Sequence, residues 1–234
     1  TISHYETLIR MLGDNDEIVS PASFINRAER LGLIREIDLF VLDSAIAKQA
    51  DLLKQGFDIT LAINLSGKAL DNPDLYKNIS DIIIKHDARP DNLIFEITET
   101  AAVSDIVAAE KIISSIQNLG CRFALDDFGV GFSSFYYLRE LPVEYVKIDG
   151  SFVKDLYNNA DNQVLIKALS EVAIGFNKLT IAEFVDSLQT LNILSEAKVK
   201  YAQGYFIGKP SQKIPVEPPN FHKASMNENS HFRG

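Results

Sequence analysis

The chain is poor in the residues that build several common kinds of site. Its 234 residues include a single cysteine and four histidines. One cysteine excludes an internal disulfide framework and fits a reducing compartment. The histidines show no metal-ligand spacing, which argues against a zinc site. Because no histidine lies near Cys121 in sequence, we interpret this thiol as buried and structural, not catalytic.

Positive charge and long apolar runs are also scarce. With 23 basic and 32 acidic residues, the net charge of -9 offers no electrostatic footprint for a DNA or RNA duplex. No uninterrupted apolar stretch is long enough to cross a bilayer, and no signal peptide opens the sequence. We therefore expect a cytoplasmic location, which includes the case of an output domain of a membrane-bound receptor.

What the sequence does contain is an alternation of strand-like and helix-like segments. Runs typical of strands lie at Ile2–Leu8, Asp58–Leu65, Leu93–Ile97, Cys121–Leu125, Val143–Ile148, Leu179–Ala182 and Val199–Phe206. Helical periodicity lies at Ala22–Leu31, Ile34–Lys54, Asn72–His86, Ser104–Leu119, Asp161–Phe176 and Ser187–Ala197. The alternation favours parallel βα units, one strand short of an eight-stranded barrel. We expect the barrel to span 1–212 and a polar, poorly ordered tail to span 213–234.

Acidic and amide side chains stand where the strand-like runs end. They are Glu6, Asn64, Glu96, Asp126, Asp127, Asp149 and Glu183. In a barrel of parallel strands, every strand C-terminus opens onto the same face. Carboxylates distant in sequence would converge there and would need protons or cations to compensate their charge. The pattern predicts a metal site, and oxygen ligands of this kind favour Mg or Mn over zinc.

The motifs around these residues follow the order and the approximate spacing of a known family. They are Glu6-Thr7-Leu8-Ile9-Arg10, Asn64-Leu65-Ser66, Glu96-Ile97-Thr98-Glu99, the segment Asp126–Ser134, Lys147-Ile148-Asp149, Ala182-Glu183 and Gln203-Gly204. From Tyr5 to Pro210 the series resembles the EAL family of cyclic di-GMP phosphodiesterases. The resemblance implies an α/β fold, a modified (β/α)8 TIM-type barrel with one antiparallel strand. Since the sequence starts at the family's second strand, we expect the first helix and strand to be missing and the chain to be part of a longer protein.

The resemblance also implies an activity and a set of roles. The activity is hydrolysis of cyclic di-GMP to linear pGpG with two divalent cations, Mg or Mn, which ends a bacterial second-messenger signal. The implied metal ligands are Glu6, Asn64, Glu96 and Asp126, with Asp127 contributing to the second metal. The implied catalytic residues are Glu183 as general base, Lys147 as an orienting charge, and Asp127.

Further roles follow from the same resemblance. Arg10, Gln203 and Asp149 are expected to bind substrate, and the guanidinium of Arg10 suits a phosphate. Glu99 is expected to brace the loop Phe128–Ser134, and Asp186 to have a stabilising role. The family also implies a homodimer, in which this loop links the active site to the dimer interface, and upstream sensory or cyclase domains in the parent chain.

Plainer interpretations exist for several of these residues. Lys147 could extend its stem to bring the ammonium to solvent. Asp126 and Asp127 could form only a turn, and Asn64 could satisfy backbone groups. Asp-Phe-Gly also occurs in protein kinases, but no His-Arg-Asp loop or Gly-rich nucleotide loop precedes it here. Agreement of the whole series favours the functional interpretation.

One departure from the family pattern affects the expected activity. The usual Ala-Glu-Gly-Val-Glu appears as Ala182-Glu183-Phe184-Val185-Asp186, so an aspartate replaces the last glutamate. Its carboxylate is shorter by one methylene, and misplacement on that scale can cost about a hundredfold in rate. An active phosphodiesterase is still the first hypothesis, because a pure receptor has no need to retain Glu6, Asp127, Lys147 and Glu183 together. A cyclic di-GMP receptor that signals through ligand-dependent conformational change is the second, and a scaffold that has lost the ligand is the third.

Overall fold

The computed structural model describes residues 2–130 and 134–214. Its strands are β1 Tyr5–Thr7, β2 Met11–Leu12, β3 Ile18–Val19, β4 Leu61–Asn64, β5 Leu93–Thr98, β6 Arg122–Phe128, β7 Tyr145–Ile148, β8 Leu179–Ala182 and β9 Tyr201–Ala202. Seven of them form one sheet in the order β1-β4-β5-β6-β7-β8-β9, and each neighbouring pair is parallel. The predicted parallel βα architecture is confirmed.

Helices connect the strands and cover one face of the sheet. They are α1 Pro21–Leu31, α2 Ile34–Lys54, α3 Leu75–His86, α4 Glu99–Ser104, α5 Ile106–Gln117, α6 Ser134–Glu140, α7 Gly150–Val153, α8 Ala160–Gly175 and α9 Leu188–Glu196. Helix α1 begins with Pro21 in its first turn and ends at Gly32, whose φ of 74° is left-handed. Proline suits the first turn of a helix and glycine the residue after the last turn. None of the helices among residues 2–130 and 134–214 is long and apolar enough to span a membrane.

The two faces of the sheet bury different sets of side chains. The larger apolar cluster packs under the helices and contains Ile63, Phe95, Phe123 and Val146. The smaller cluster alternates with it along the strands and contains Ala62, Ile94, Ala124, Tyr145 and Ile181. Since successive side chains of a strand point to opposite faces, the smaller cluster marks the inner face of the curled sheet. The sheet curls until its two edge strands come close to each other. This closeness is shown by Gln203 after β9, which donates a hydrogen bond from Nε2 to Glu6 of β1.

The structure adds elements that the sequence did not predict. A small antiparallel hairpin pairs β2 with β3 directly after β1. The short helices α4, α6 and α7 follow β5, β6 and β7. Cys121 lies buried at the start of β6, in agreement with a structural thiol, and burial raises its pKa to about 12. The predicted tail 213–234 lies outside the described residues beyond position 214.

Candidate active site

The alternation of the inner face places the candidate site. Each strand of the seven-stranded sheet places its site residue two positions after an inner-face residue, so the site forms one further layer toward the strand C-termini. The pairs are His4 and Glu6, Ala62 and Asn64, Ile94 and Glu96, Ala124 and Asp126, Tyr145 and Lys147, Ile181 and Glu183, and Tyr201 and Gln203. Convergence of the predicted acidic and amide residues therefore follows from strand register.

The ammonium of Lys147 occupies the centre of this layer. Its Nζ lies 2.9 Å from Glu96 Oε2, 3.1 Å from Asp126 Oδ2 and 2.9 Å from Glu183 Oε1. A fourth carboxylate oxygen, Glu6 Oε1, lies 3.9 Å away. Only 1% of the Lys147 side chain is exposed, so the ammonium does not reach solvent and the snorkelling interpretation is wrong. One cation thus faces four carboxylates.

Glu6 links the two edges of the sheet. Asn64 Nδ2 donates a 2.7 Å hydrogen bond to Glu6 Oε1, and Gln203 Nε2 donates to Glu6 Oε2. Asn64 thus bonds a side chain of the site, which leaves its carbonyl oxygen available to a cation. Asn64 and Gln203 therefore both contact Glu6 beside Lys147, and the metal contacts expected of Glu6 and Asn64 and the substrate contact expected of Gln203 stay predictions.

A local irregularity of β6 brings two consecutive carboxylates to the same place. The register between β6 and β7 shifts between Leu125 and Phe128, and Asp127 has a φ of 58°. Such an irregularity re-aims side chains that would otherwise point to opposite faces. One ligand atom each of Asp126, Asp127 and Glu183 consequently lies within 4.8 Å of the others. Asp126 and Asp127 therefore belong to strand β6 and lie beside Glu183, so they do not form only a turn.

The donor set fits divalent cations that prefer oxygen ligands. Within the described residues, Glu96 Oε1 is buried and has no hydrogen-bond partner. An unpaired buried carboxylate oxygen is costly, and a cation would satisfy it. The surplus of carboxylates over the single ammonium points the same way, since Mg and Mn bind carboxylate and amide oxygens. The acidic cluster could hold metal.

The electrostatics of the layer reflect the same surplus. Burial raises the pKa of Glu96 to about 8 and that of Glu183 to about 7, although the nearby ammonium of Lys147 opposes both shifts. Burial alone would lower the pKa of Lys147, but Glu96, Asp126, Glu6 and Glu183 together raise it well above its usual value. The lysine therefore stays charged, and without a further cation the carboxylates compete for one counter-ion.

Asp149 and Arg10 each form a hydrogen bond with a backbone group close to them in sequence. Asp149 Oδ1 accepts a 2.9 Å hydrogen bond from the backbone N–H of Ser151 and caps α7. Arg10 is exposed, and its Nη1 donates to the carbonyl of Ile9. Substrate contacts of either residue stay predictions.

The two residues expected to stabilise loops occupy different positions. Glu99 is buried at the start of α4, and burial raises the pKa of Asp127 with a smaller contribution from the nearby Glu99 carboxylate. Residues 131–133 of the loop that Glu99 was predicted to brace lie outside the described residues, so the bracing stays a prediction. Asp186 Oδ1 accepts a 3.0 Å hydrogen bond from Thr190 Oγ1 in the first turn of α9.

Sequence reasoning missed one buried carboxylate behind the site. Asp38 of α2 accepts hydrogen bonds from Ser66, at 3.3 Å from the backbone nitrogen and at 2.5 Å from the hydroxyl. It thereby fixes the loop that follows Asn64. The signal was present, because Asp38 interrupts the buried stripe that Ile34 and Leu42 define in α2.

Comparison with known proteins agrees with this geometry. The family model described as EAL domain matches residues 1–210. Cyclic di-GMP phosphodiesterase PdeB of Shewanella oneidensis is 39% identical over 205 residues, which cover 88% of this chain and 24% of PdeB. Cyclic di-GMP phosphodiesterase PdeF of Escherichia coli is 32% identical over 211 residues, covering 90% of this chain and 28% of PdeF. The chain thus spans about a quarter of the length of these curated relatives.

Solved structures give the same assignment. The FimX EAL domain of Pseudomonas aeruginosa bound to c-di-GMP has a TM-score of 0.85 at 32% identity, covering 91% of this chain and 85% of that one. The PaMucR phosphodiesterase in its c-di-GMP complex has a TM-score of 0.84 at 30% identity, with coverages of 90% and 85%. The TIM-like barrel expected from the sequence is confirmed by these similarities. This chain belongs to the EAL domain family.

Proposed function

We propose that this chain hydrolyses cyclic di-GMP to linear pGpG with two divalent cations, Mg or Mn. The observation that carries the proposal is the group formed by Asp126, Asp127 and Glu183 beside the buried ammonium of Lys147. Like charges repel, so such a group accepts a phosphodiester only when cations stand between them. Relatives named as c-di-GMP phosphodiesterases and EAL structures bound to c-di-GMP support this substrate.

The chain's oxygen donors would hold the cations. The first would bind Glu6, Asn64, Glu96 and Asp126, and the second would bind Asp127. When bound, such cations neutralise charge on the phosphoryl oxygens and lower the pKa of an attacking water. Two features support this assignment: Glu96 Oε1 is unpaired within the described residues, and Asn64 donates to Glu6 through Nδ2, so that its carbonyl oxygen can face a cation.

The remaining site residues bind, orient and move protons. Glu183 accepts the proton of the attacking water, while Lys147 orients that water or a phosphoryl oxygen. The water oxygen bonds to phosphorus as the P–O3′ bond breaks, and the 3′ oxygen takes up a proton. The product pGpG therefore keeps the 5′-phosphate. Arg10, Gln203 and Asp149 hold the substrate, with the Arg10 guanidinium on a phosphate.

A direct assay tests the proposal. Purified protein is incubated with cyclic di-GMP and Mg, and the products are separated by chromatography. We expect pGpG with Mg or Mn, no product in chelator, and inhibition by Ca, because its longer and more flexible coordination distorts a two-metal arrangement. Full turnover after exhaustive removal of metal would refute the mechanism.

The assay also separates the enzyme from the receptor alternative. Tight binding without turnover would identify a receptor, and Asp186 is the residue with which to examine that result. Asp186→Glu restores the family's side chain and should raise kcat, by up to about a hundredfold if the shorter carboxylate limits catalysis. An unchanged kcat would mean that the Asp186 hydrogen bond to Thr190 already serves the site.

The assembly and the larger protein belong to the same proposal. We expect a homodimer and upstream sensory or cyclase domains. The short coverage of PdeB and PdeF supports the second expectation. Sedimentation of the purified chain with and without cyclic di-GMP and Mg would measure the first.

A further inference from the structure

Phe184 combines backbone strain with an exposed aromatic ring. Its φ is 56°, a left-handed conformation that is a genuine outlier for a bulky residue. The other non-glycine residues with positive φ in the described part of the chain are aspartate, asparagine or lysine. Yet 69% of Phe184 is exposed, so burial does not compensate the strain. Strained residues of this kind cluster at ligand sites.

The ring has a built support. A Cβ added to Gly150 would stand 2.0 Å from Cδ2 of Phe184 and 2.7 Å from its Cγ and Cε2. The ring therefore lies directly against Gly150, in space that any other residue would fill. Gly150 begins α7 after β7, and Phe184 follows β8. One side of the ring rests on the protein and the rest is open at the strand C-termini.

The position of the ring relates it to the candidate site. Phe184 directly follows Glu183, whose Oε1 lies 2.9 Å from Lys147 Nζ, and Gly150 directly follows Asp149. A phosphodiester held in front of Glu183 would carry its bases one sugar away from phosphorus. A base one sugar away from that phosphorus would contact the open side of the Phe184 ring.

We infer that Phe184 is an aromatic platform on which a purine base of the nucleotide substrate stacks, with Gly150 as its support. The inference rests on the proposed function and deepens it, because it names a residue for the base where the acidic layer serves only the phosphates. Stacking suits an exposed ring, since every base has a π-face and needs no polar partner for it. Phe184 is thus a substrate-binding residue and takes no part in proton transfer.

The experiment measures cyclic di-GMP affinity in Ca and, separately, KM and kcat in Mg. Phe184→Ala should weaken affinity by roughly 5- to 150-fold, the range for loss of one stacked base. KM should rise accordingly while kcat changes little. Phe184→Tyr keeps the ring and should bind like the wild type. The matched control is Phe40→Ala, since Phe40 is 65% exposed in α2 and should affect neither constant.

A second variant tests the support. Gly150→Ala places a methyl group where the Phe184 ring lies, so it should displace the ring and weaken affinity. In a Phe184→Ala background, the same change should have no further effect, because no ring remains to be displaced. Thermal melts of all variants exclude unfolding as the cause.

The outcomes separate this inference from the proposed function. If the wild type binds and hydrolyses cyclic di-GMP but Phe184→Ala binds equally well, the platform is overturned and the enzyme stands. Additive effects of Phe184→Ala and Gly150→Ala would overturn the supporting role of Gly150. If the wild type neither binds nor hydrolyses cyclic di-GMP, the function and the platform fall together.

Discussion

The inner face of the sheet has a basic side chain at each end, and the two have opposite kinds of partner. We call the end at the strand N-termini, where Arg122 lies, the floor, and the end at the strand C-termini, where Lys147 lies, the mouth. At the floor, Arg122 donates from Nη1 to the Tyr145 hydroxyl at 2.7 Å and from Nη2 to the carbonyl of Asp91 at 2.6 Å and the Thr60 hydroxyl at 3.4 Å. These three partners are neutral. At the mouth, Lys147 faces the carboxylates of Glu6, Glu96, Asp126 and Glu183.

The difference between these partners distinguishes a basic residue that stabilises the fold from one that lies in a candidate site. Neutral oxygens accept from Nη1 and Nη2 of Arg122 and the Tyr145 ring lies 5.7 Å from its Cζ, while its Nε is buried without a hydrogen-bond partner among the described residues. Around Lys147, negative charge exceeds positive charge, so the layer remains ready for cations. A buried basic residue alone does not identify a site. An excess of carboxylates around the basic residue is the feature that points to a cation site.

The largest effect is expected from Lys147→Met. Removing the ammonium of Lys147 leaves buried carboxylates uncompensated, which should lower the free energy of unfolding by about 3–5 kcal/mol in chelator and abolish turnover. Mg should restore part of the stability. Urea unfolding with and without Mg measures both effects.

The matched control for this change is Arg122→Met at the floor. It removes a cation with neutral partners, so its loss of stability should be insensitive to Mg. If both variants responded alike to Mg, the contrast between mouth and floor would be wrong.

The next effect is expected from Glu183→Gln. This change keeps the shape of the side chain and removes the candidate base, so kcat should fall by about 10²–10⁴-fold while cyclic di-GMP affinity changes little. Glu171→Gln, at an exposed position of α8, is the control and should alter neither. Equal losses of kcat and affinity would make Glu183 a binding residue.

A smaller effect is expected from Tyr145→Phe at the floor. The variant loses the hydroxyl that accepts from Arg122, which should lower the free energy of unfolding by about 1–2 kcal/mol. The kcat and KM should stay at wild-type values, since the floor takes no part in the chemistry. Thermal denaturation and the chromatographic assay together decide this. A drop in kcat would show that mouth and floor are coupled.

The sequence predicted the mouth better than its surroundings. Alternation around Ile59, Leu61 and Ile63 indicated a strand, and strand order then brought the distant acidic residues together. The hairpin β2–β3 escaped prediction because its strands have two residues each and Leu12 and Ile18 are exposed. Periodicity carries no signal for so short an element.

Contacts between distant residues were the other gap. The left-handed φ of Phe184 and its packing on Gly150 depend on where β7 and β8 end in space, which no local pattern encodes. The Asp38–Ser66 contact likewise joins a helix to a loop 28 positions away. An acidic residue in an apolar helical stripe predicts a buried partner without naming it.

Asp38 gives the smallest effect and the sharpest contrast with the mouth, because a buried carboxylate here meets neutral donors. Burial raises its pKa, although the hydrogen bonds from Ser66 partly lower it. The folded state therefore binds the Asp38 proton more tightly than the unfolded state does. Stability from this group is fully present below the unfolded pKa and is lost as pH rises through the folded pKa.

Asp38→Asn tests that sign. Asparagine can accept from the Ser66 N–H through Oδ1 and donate to its hydroxyl through Nδ2, but it does not titrate. The free energy of unfolding of the variant, relative to the wild type, should increase as pH rises above 4 and then level off. Urea unfolding across pH 4 to 8 measures this difference, and Asp38→Ala should be destabilised at every pH because it leaves the Ser66 donors unpaired. A difference between the asparagine variant and the wild type that did not vary with pH would mean that the Asp38 carboxyl has the same pKa folded and unfolded.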